Sequence, residues 1–129
     1  DYYTTTKGIL EKVKTHAGDV DFEVQPELLS LFSNRDFGRY AGEKGEMNVC
    51  FISNNDITGG NSGSAMFNAR GELLGLAFDG NWEAMSSDIL YEPKMQRCIG
   101  VDVRYILFMI EKYGKAGDLI RELKIVSGK

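Results

Sequence analysis

Three features of this sequence predict a mainly β fold with flanking helices. The 129 residues are 43% apolar and 26% charged, which suits one soluble globular domain. Strand-forming runs follow one another between residues 47 and 103, separated by turns rich in glycine and asparagine. Helical periodicity lies towards the two ends of the chain. We therefore expect a single domain over residues 1–129, with a helical and loop lead-in at 1–46, a β portion at 47–103 and C-terminal helices at 104–126.

The lead-in is predicted to contain two helices. Residues 6–16 place apolar side chains on one helical face with lysines opposite, and Gly18 follows as a stop. Residues 21–24 have the composition of a short strand. Pro26 suits the first turn of a second helix, because its missing N–H is not needed there. Residues 35–46 are polar and glycine-rich, so we expect them to form a loop.

The β portion is predicted from apolar runs and from one sharp hairpin turn. That turn is Asn68-Ala69-Arg70-Gly71, in which Gly71 supplies a positive φ. The expected strands are residues 47–53, 64–68, 72–79 and 96–103, with a long turn at 54–61 and a surface loop at 80–94. An amphipathic helix is expected at residues 104–113 and a last helix at 118–126.

Charge and hydropathy exclude two classes of partner. Fifteen Lys and Arg against nineteen Asp and Glu give a net charge of −4, whereas a nucleic-acid binder needs a concentrated positive field. The longest apolar stretch, residues 105–110, is far too short to span a bilayer. We therefore expect neither nucleic acid nor a membrane span.

The two cysteines do not indicate a metal site. Cys50 and Cys98 lack metal-ligand spacing and have a single histidine to help them, so we expect no metal and no cofactor. Both lie in apolar, strand-like surroundings. Buried free thiols are one interpretation, and a disulfide between neighbouring strands is the other.

The stretch TGGNSGSA, residues 58–65, is the candidate for chemistry. A serine hydroxyl becomes a nucleophile only where a base takes its proton and donors receive the charge on the attacked carbonyl oxygen. Glycine at position 60 would let the amides of Gly60 and Ser62 converge on one point, and Gly63 lets the chain leave without a Cβ clash. An ordinary glycine- and serine-rich turn is the alternative.

The order of elements around this serine carries a family resemblance. TGGNSGSAMFNARGELLGLAFDGNWEAMSSDILYEP, followed by QRCIGVDVRYILFMIEKYG, resembles the C-terminal part of the bacterial dipeptidyl-peptidase 7 family. These are serine exopeptidases whose chymotrypsin-like double β-barrel is interrupted by a helical domain. The resemblance is dense from about Asp36 to Leu123. It implies that the chain forms the C-terminal barrel portion of such a fold, which is incomplete here.

The resemblance assigns roles residue by residue. It makes Ser62 the nucleophile and the amides of Gly60 and Ser62 the oxyanion hole. The strand from Leu76 to Gly80 would be the edge along which substrate lies. Asp79, with Phe78 beside it, would bind the free α-ammonium of an oligopeptide. Gly80 would leave the side-chain pocket open and uncharged, which implies cleavage after hydrophobic or varied residues, whereas relatives with arginine there prefer acidic ones.

The catalytic machinery is expected to be incomplete. His16 ends a helix-like run and does not suit a catalytic base. The resemblance places the catalytic His and Asp outside this chain, so these 129 residues alone should be inactive. It also implies a periplasmic location and a homodimeric full-length enzyme. A non-catalytic peptide-binding β-domain and an adaptor with no site are the alternatives.

Overall fold

The computed structural model describes residues 2–42, 44–86, 92 and 94–127. The chain divides into two compact units. Residues 1–3 and 49–103 form the β unit, and residues 4–48 and 104–129 form the helical unit. The single domain expected from the sequence stays a prediction.

Strands and helices occupy most of the segments that the sequence predicts. The strands are β1 (Tyr3–Thr5), β2 (Asn48–Ser53), β3 (Ala65–Phe67), β4 (Leu73–Gly80) and β5 (Cys98–Asp102). The α-helices are α1 (Thr6–Thr15), α2 (Pro26–Ser33), α3 (Val103–Phe108), which a π-helical turn continues over Met109–Tyr113, and α4 (Gly117–Arg121). Short 3-10 helices cover Val20–Phe22, Gly38–Tyr40 and Trp82–Ser86.

The strands form one sheet in the order β1-β2-β5-β4-β3. β2 pairs with β5, β5 with β4 and β4 with β3, each antiparallel. The predicted hairpin between β3 and β4 is confirmed, because the Gly71 N–H donates to the Asn68 carbonyl at 3.0 Å and Gly71 has φ +74°. A five-stranded sheet with helices therefore agrees with the predicted fold class.

Cys50 and Cys98 lie on neighbouring strands and are not joined by a disulfide. Cys50 lies opposite Val101, and Cys98 lies opposite Ser53, so the two cysteines do not face each other in the sheet. Cys98 is buried, and burial raises the pKa of its thiol. The interpretation of buried thiols outside a disulfide is therefore confirmed for Cys98, whereas Cys50 is only half-buried.

The helical unit has an aromatic core. Its fully buried members are Phe32, Phe37, Tyr40, Met47 and Phe108. The Phe108 ring stacks on Phe32 at 6.0 Å between centroids and meets Phe37 edge-on at 6.1 Å. The Tyr40 hydroxyl donates to the carboxylate of Glu111, and burial is the main cause that raises the pKa of Tyr40. This core orders the helices at the two ends of the sequence within one unit.

Three local predictions need correction. Residues 21–24 do not form a strand, because Asp19 caps a 3-10 helix there by accepting the Asp21 N–H at 3.1 Å. The last helix is shorter than expected and ends at Arg121. Strand β1 was not predicted, because it depends on pairing with a distant segment, in which the Ile52 N–H donates to the Tyr2 carbonyl at 2.9 Å.

The predicted loop at 80–94 is also modified. Strand β4 extends to Gly80, and the 3-10 helix Trp82–Ser86 follows after one residue. Residues 87–91 and 93, which the sequence assigns to the same loop, lie outside the described residues.

Candidate active site

Two consecutive β-turns present the candidate nucleophile. The Asn61 N–H donates to the Thr58 carbonyl at 3.2 Å, and the Ser64 N–H donates to the Asn61 carbonyl at 2.9 Å. Each turn has a glycine at its third position with positive φ, +93° at Gly60 and +88° at Gly63. This is the type II pattern, which requires glycine there because an L side chain would be strained. The glycine spacing of the motif is therefore explained by two turns that share Asn61.

The turn geometry leaves two amides unused. A β-turn uses the N–H of its fourth residue, while those of its second and third residues stay outside the hydrogen bond. Gly60 is the third residue of the first turn, and Ser62 is the second residue of the next. In the part of the chain that the structure describes, neither N–H donates a hydrogen bond. These are the two groups that the sequence assigns to the oxyanion hole.

The Asn61 side chain fastens the first turn from within. Its Oδ1 accepts hydrogen bonds from the Thr58 N–H at 2.9 Å and from the Thr58 hydroxyl at 3.2 Å. From the sequence alone, no role is assigned to Asn61. Asparagine is common in turns because its side chain bonds the neighbouring backbone, and that was the signal available.

The sheet places Ser62 beside the end of β4. The Gly63 N–H donates to the Ala77 carbonyl at 2.7 Å, and the Ala77 N–H donates to the Ser64 carbonyl at 2.9 Å. Ser62 is exposed, and its hydroxyl donates to the Phe78 carbonyl at 3.4 Å. A contact of that length is weak, so the hydroxyl is available to a stronger partner.

A β-bulge at Phe78 separates the site from the rest of β4. Ala77 lies opposite Gly100 and Asp79 lies opposite Ile99, so one extra residue is inserted in β4. Phe78 is 43% exposed. Asp79 is also exposed, and its carboxylate accepts the Gly80 N–H at 2.8 Å. The bulge brings the predicted substrate-binding residues together at one end of the strand.

The predicted substrate edge is shorter than the sequence indicated. The strand from Leu76 to Gly80 was expected to have one free edge. Leu76 is covered by its pairing with Ala65, and Ala77 bonds to the turn that carries the serine. Among the described residues, only Phe78 to Gly80 extend beyond the pairing with β3 and this turn.

The Cβ direction at Gly80 is crowded, whereas the open and uncharged pocket that the resemblance implies there stays a prediction. A Cβ placed on Gly80 would lie 2.8 Å from the Ala84 Cβ, 3.5 Å from the Ile57 Cγ2 and 3.7 Å from the Arg97 carbonyl oxygen. The short loop after β4 folds back and fills the position. No local sequence pattern indicates this contact, because it depends on how residues 82–86 return to the strand.

His16 is engaged at the end of α1. Its Nδ1 lies 2.9 Å from the Thr15 hydroxyl and 3.2 Å from the Lys12 carbonyl oxygen. Its ring stacks on Phe22 with 4.1 Å between centroids. These contacts are those of a helix-end histidine.

Neither a metal centre nor a bilayer-crossing helix is found within the described ranges. No group of three or more His, Cys, Asp or Glu side chains there could hold a metal ion. No helix in the same ranges has both the length and the apolar character to cross a membrane.

The site thus combines an exposed serine, two unused amides and a short free strand end. The model of the Peptidase S46 family matches residues 1–125. The chain therefore belongs to peptidase family S46, and the resemblance indicated by the sequence is confirmed.

Individual relatives agree with this assignment. The chain is 57% identical to dipeptidyl-peptidase 7 of Porphyromonas endodontalis over 128 residues, which cover 99% of this chain and 15% of that protein. It is 48% identical to an Asp/Glu-specific dipeptidyl-peptidase of Capnocytophaga gingivalis over 124 residues, 96% of this chain and 17% of that protein. A solved structure of P. endodontalis DPP11 in complex with the dipeptide Arg-Glu matches with a TM-score of 0.88 and 43% identity, over 94% of this chain and 17% of that chain.

Proposed function

We propose that this chain supplies the nucleophile of a serine-type dipeptidyl-peptidase, an enzyme that releases dipeptides from the free N-terminus of oligopeptides. One observation carries the proposal. The exposed Ser62 hydroxyl lies beside two backbone amides, those of Gly60 and Ser62, that no other described group uses. Membership of family S46 and the similarity to dipeptidyl-peptidases support the same activity.

The proposed chemistry begins at the Ser62 hydroxyl. The Ser62 Oγ attacks the scissile carbonyl carbon while a base accepts its proton, and the carbonyl oxygen becomes an oxyanion. The amides of Gly60 and Ser62 then donate to that oxyanion. Loss of one such donor typically costs on the order of 100- to 1000-fold in rate. The same base returns the proton to the leaving amine.

We propose that the base and its orienting carboxylate come from polypeptide outside this chain. The chain spans 15% to 18% of the length of the relatives it matches. Its single histidine, His16, is engaged at the end of a helix. On this proposal the 129 residues alone are inactive, because only binding and the oxyanion amides remain.

We also propose that the sheet belongs to a chymotrypsin-like barrel that further polypeptide completes. Phe67 is 60% exposed and Leu73, its partner across the hairpin, is 41% exposed. Leu74 is 44% exposed. Neighbouring apolar side chains of this size are seldom left in water by a soluble protein.

Substrate binding is proposed at the free end of β4. Asp79 presents an exposed carboxylate that would pair with the α-ammonium of the peptide, and Phe78 would pack against the bound dipeptide. The bond from the Gly80 N–H to this carboxylate also fits the simpler role of shaping the backbone. Gly80 adds no charge, so we propose a hydrophobic or broad preference before the cut. The DPP11 structure with bound Arg-Glu supports dipeptide binding by this fold.

Location and assembly are further proposals. We propose that the full-length enzyme is periplasmic and homodimeric. Cell fractionation and sedimentation of the purified full-length protein test these two points separately.

The experiment for the proposed function uses the full-length protein with Ser62→Ala and, as a matched control, Ser64→Ala. We expect Ser62→Ala to lower dipeptide release by about 10⁴-fold or more and to abolish labelling by a fluorophosphonate probe. Ser64→Ala should retain both, because its contacts to Ala77 and Asn61 use backbone atoms.

Peptides with an acetylated N-terminus provide the second arm of this experiment. They should not be cleaved, because they lack the ammonium group. If Ser62→Ala keeps full activity, the nucleophile assignment is wrong. If acetylated peptides are cleaved equally well, the dipeptidyl-peptidase assignment is wrong.

A further inference from the structure

The space beside Gly80 is filled by one methyl group. A Cβ placed at position 80 would lie 2.8 Å from the Ala84 Cβ. Two carbon atoms pack best at about 3.5–4.0 Å, so any side chain at position 80 must displace Ala84. Gly80 does not have a positive φ, so the conflict is one of space and not of backbone strain.

Ala84 is held in place by a network centred on Asn81. The Asn81 N–H donates to the Arg97 carbonyl at 2.9 Å, and the Asn81 Oδ1 accepts the Arg97 N–H at 2.8 Å. The Asn81 Nδ2 donates to the Met95 carbonyl at 2.8 Å and to the Glu83 carboxylate at 2.7 Å. The Ala84 N–H donates to the Asn81 carbonyl at 2.9 Å.

This network makes the position of the methyl group well determined. Asn81 ties the turn to the segment at Met95 and Arg97 through backbone and side-chain atoms together. Displacing Ala84 therefore means breaking hydrogen bonds, which costs more than turning a flexible side chain. Ala84 therefore cannot move to make room for a new group at position 80 unless some of these hydrogen bonds are lost.

Gly80, against which this methyl group packs, is close to the candidate nucleophile along the strand. Gly80 lies two residues beyond Phe78, whose carbonyl accepts the Ser62 hydroxyl. Two residues of a strand span about 7 Å. A wall at this distance from the nucleophile is within reach of the side chain of the residue that precedes the cut.

We propose that Ala84 is a specificity-determining residue of this site, whose methyl group sets, jointly with Gly80, the width of the pocket for the residue before the cut. This inference rests on the proposed function. It makes positions 80 and 84 one steric unit, so that a methyl group can occupy one of them but not both.

A double-mutant cycle in the full-length enzyme tests the inference. The variants are Gly80→Ala, Ala84→Gly and the double substitution, and the readout is kcat/KM for dipeptidyl coumarylamides with Phe or Ala before the cut. Ala84→Gly should raise the Phe-to-Ala selectivity ratio about tenfold, because one methyl group is removed from the wall. Gly80→Ala should lower kcat/KM for both substrates. The double variant should recover the kcat/KM that Gly80→Ala loses, because the methyl group has only moved from position 84 to position 80.

Two matched controls separate this effect from general effects of the substitutions. Gly8→Ala adds a methyl group where a Cβ meets nothing within 4 Å, and Ala69→Gly removes one from the exposed hairpin turn. Both should leave the selectivity ratio unchanged.

The outcomes distinguish this inference from the proposed function. Additive effects of the two substitutions, or an unchanged ratio in Ala84→Gly, overturn the role of Ala84 while dipeptide release continues. Failure of the unsubstituted enzyme to release dipeptides overturns the proposed function and the inference with it. Should Gly80→Ala fail to fold, the selectivity ratio of Ala84→Gly decides alone.

Discussion

Two turns of the β unit have asparagine and glycine in common and differ in the direction in which the asparagine side chain bonds. The nucleophile turn, Asn61 to Ser64, and the hairpin turn, Asn68 to Gly71, each begin with asparagine and contain a glycine with positive φ. The Asn61 side chain bonds backwards to Thr58. The Asn68 side chain bonds forwards and accepts the N–H groups of Arg70 and Glu72 at 2.9 and 3.0 Å.

The two asparagine side chains support their turns in different ways. Asn68 accepts the N–H of the third residue of the hairpin turn, Arg70, so this turn is held by its own first residue. Asn61 bonds to Thr58 instead, and the N–H of the third residue of its turn, Gly63, donates to the Ala77 carbonyl of β4. In both turns the amide after the asparagine, that of Ala69 or of Ser62, has no described partner. Composition alone therefore does not separate the two turns, and what differs is that the turn with Ser62 is held against a strand.

The largest effect is expected when each asparagine is replaced by alanine in the full-length enzyme. Asn61→Ala should lower kcat by up to about 100-fold, because the turn that presents an oxyanion donor loses its internal clamp. Asn61→Asp should retain more activity, since a carboxylate can accept the same two bonds. Asn68→Ala is the control and should leave kcat unchanged. Equal losses for Asn61→Ala and Asn68→Ala would break the comparison.

A second test uses the two glycines. Gly63 and Gly71 have φ of +88° and +74°, and an added Cβ meets no atom within 4 Å at either position. Alanine at each should therefore cost about the same, roughly 1–2 kcal/mol of backbone strain. Only Gly63→Ala should also lower kcat, because Gly63 lies next to Ser62, the proposed nucleophile. Thermal melting and steady-state kinetics of both variants measure the two effects, and an unchanged kcat in Gly63→Ala would contradict the prediction.

The smallest expected effect concerns pH. The bond from Arg70, followed by the bond from Asn68, lowers the pKa of Glu72, whereas Thr58 to Ser64 contain no ionisable side chain. A lowered pKa in the folded state adds stability above the ordinary range of Glu72, and this stability is lost as the pH falls through the lowered pKa. Amide exchange in the hairpin turn, corrected for intrinsic rates, should therefore speed up slightly in acid.

The nucleophile turn and a Glu72→Gln variant are the references for this measurement. Neither should show the acid-dependent change. A change of the same size in all three would mean that the carboxylate of Glu72 does not cause it.

Local patterns predicted those parts of the fold that depend on neighbouring residues. The hairpin turn, the strand after it and the helix that begins at Pro26 follow from alternation, turn chemistry and helix-start signals. Strand β1 could not be predicted, because its partner Ile52 is about fifty residues away in the sequence. At residues 21–24, the capping bond from Asp19 outweighed a weak strand propensity.

The residues of the candidate site could be predicted from the sequence, but the hydrogen-bond networks that hold them in place could not. Glycine and serine spacing pointed to Ser62 and Gly60, because few other sequences let amides converge beside a hydroxyl. The networks of Asn61 and Asn81 were not predictable, since an asparagine side chain can bond in several directions. The methyl group of Ala84 beside Gly80 depends on a folded-back turn that no local pattern specifies.

The bulge at Phe78 changes which way the end of β4 faces. In a regular strand Ala77 and Asp79 would point to the same side, because side chains alternate with a period of two. Ala77 is buried and Asp79 is exposed. Because one residue is inserted between them, the side chain before the bulge, Ala77, is directed to the interior, and the side chain after it, Asp79, is directed to solvent. A polar substitution at position 79 can therefore change the exposed surface of this strand end without placing a charge in the protein's interior.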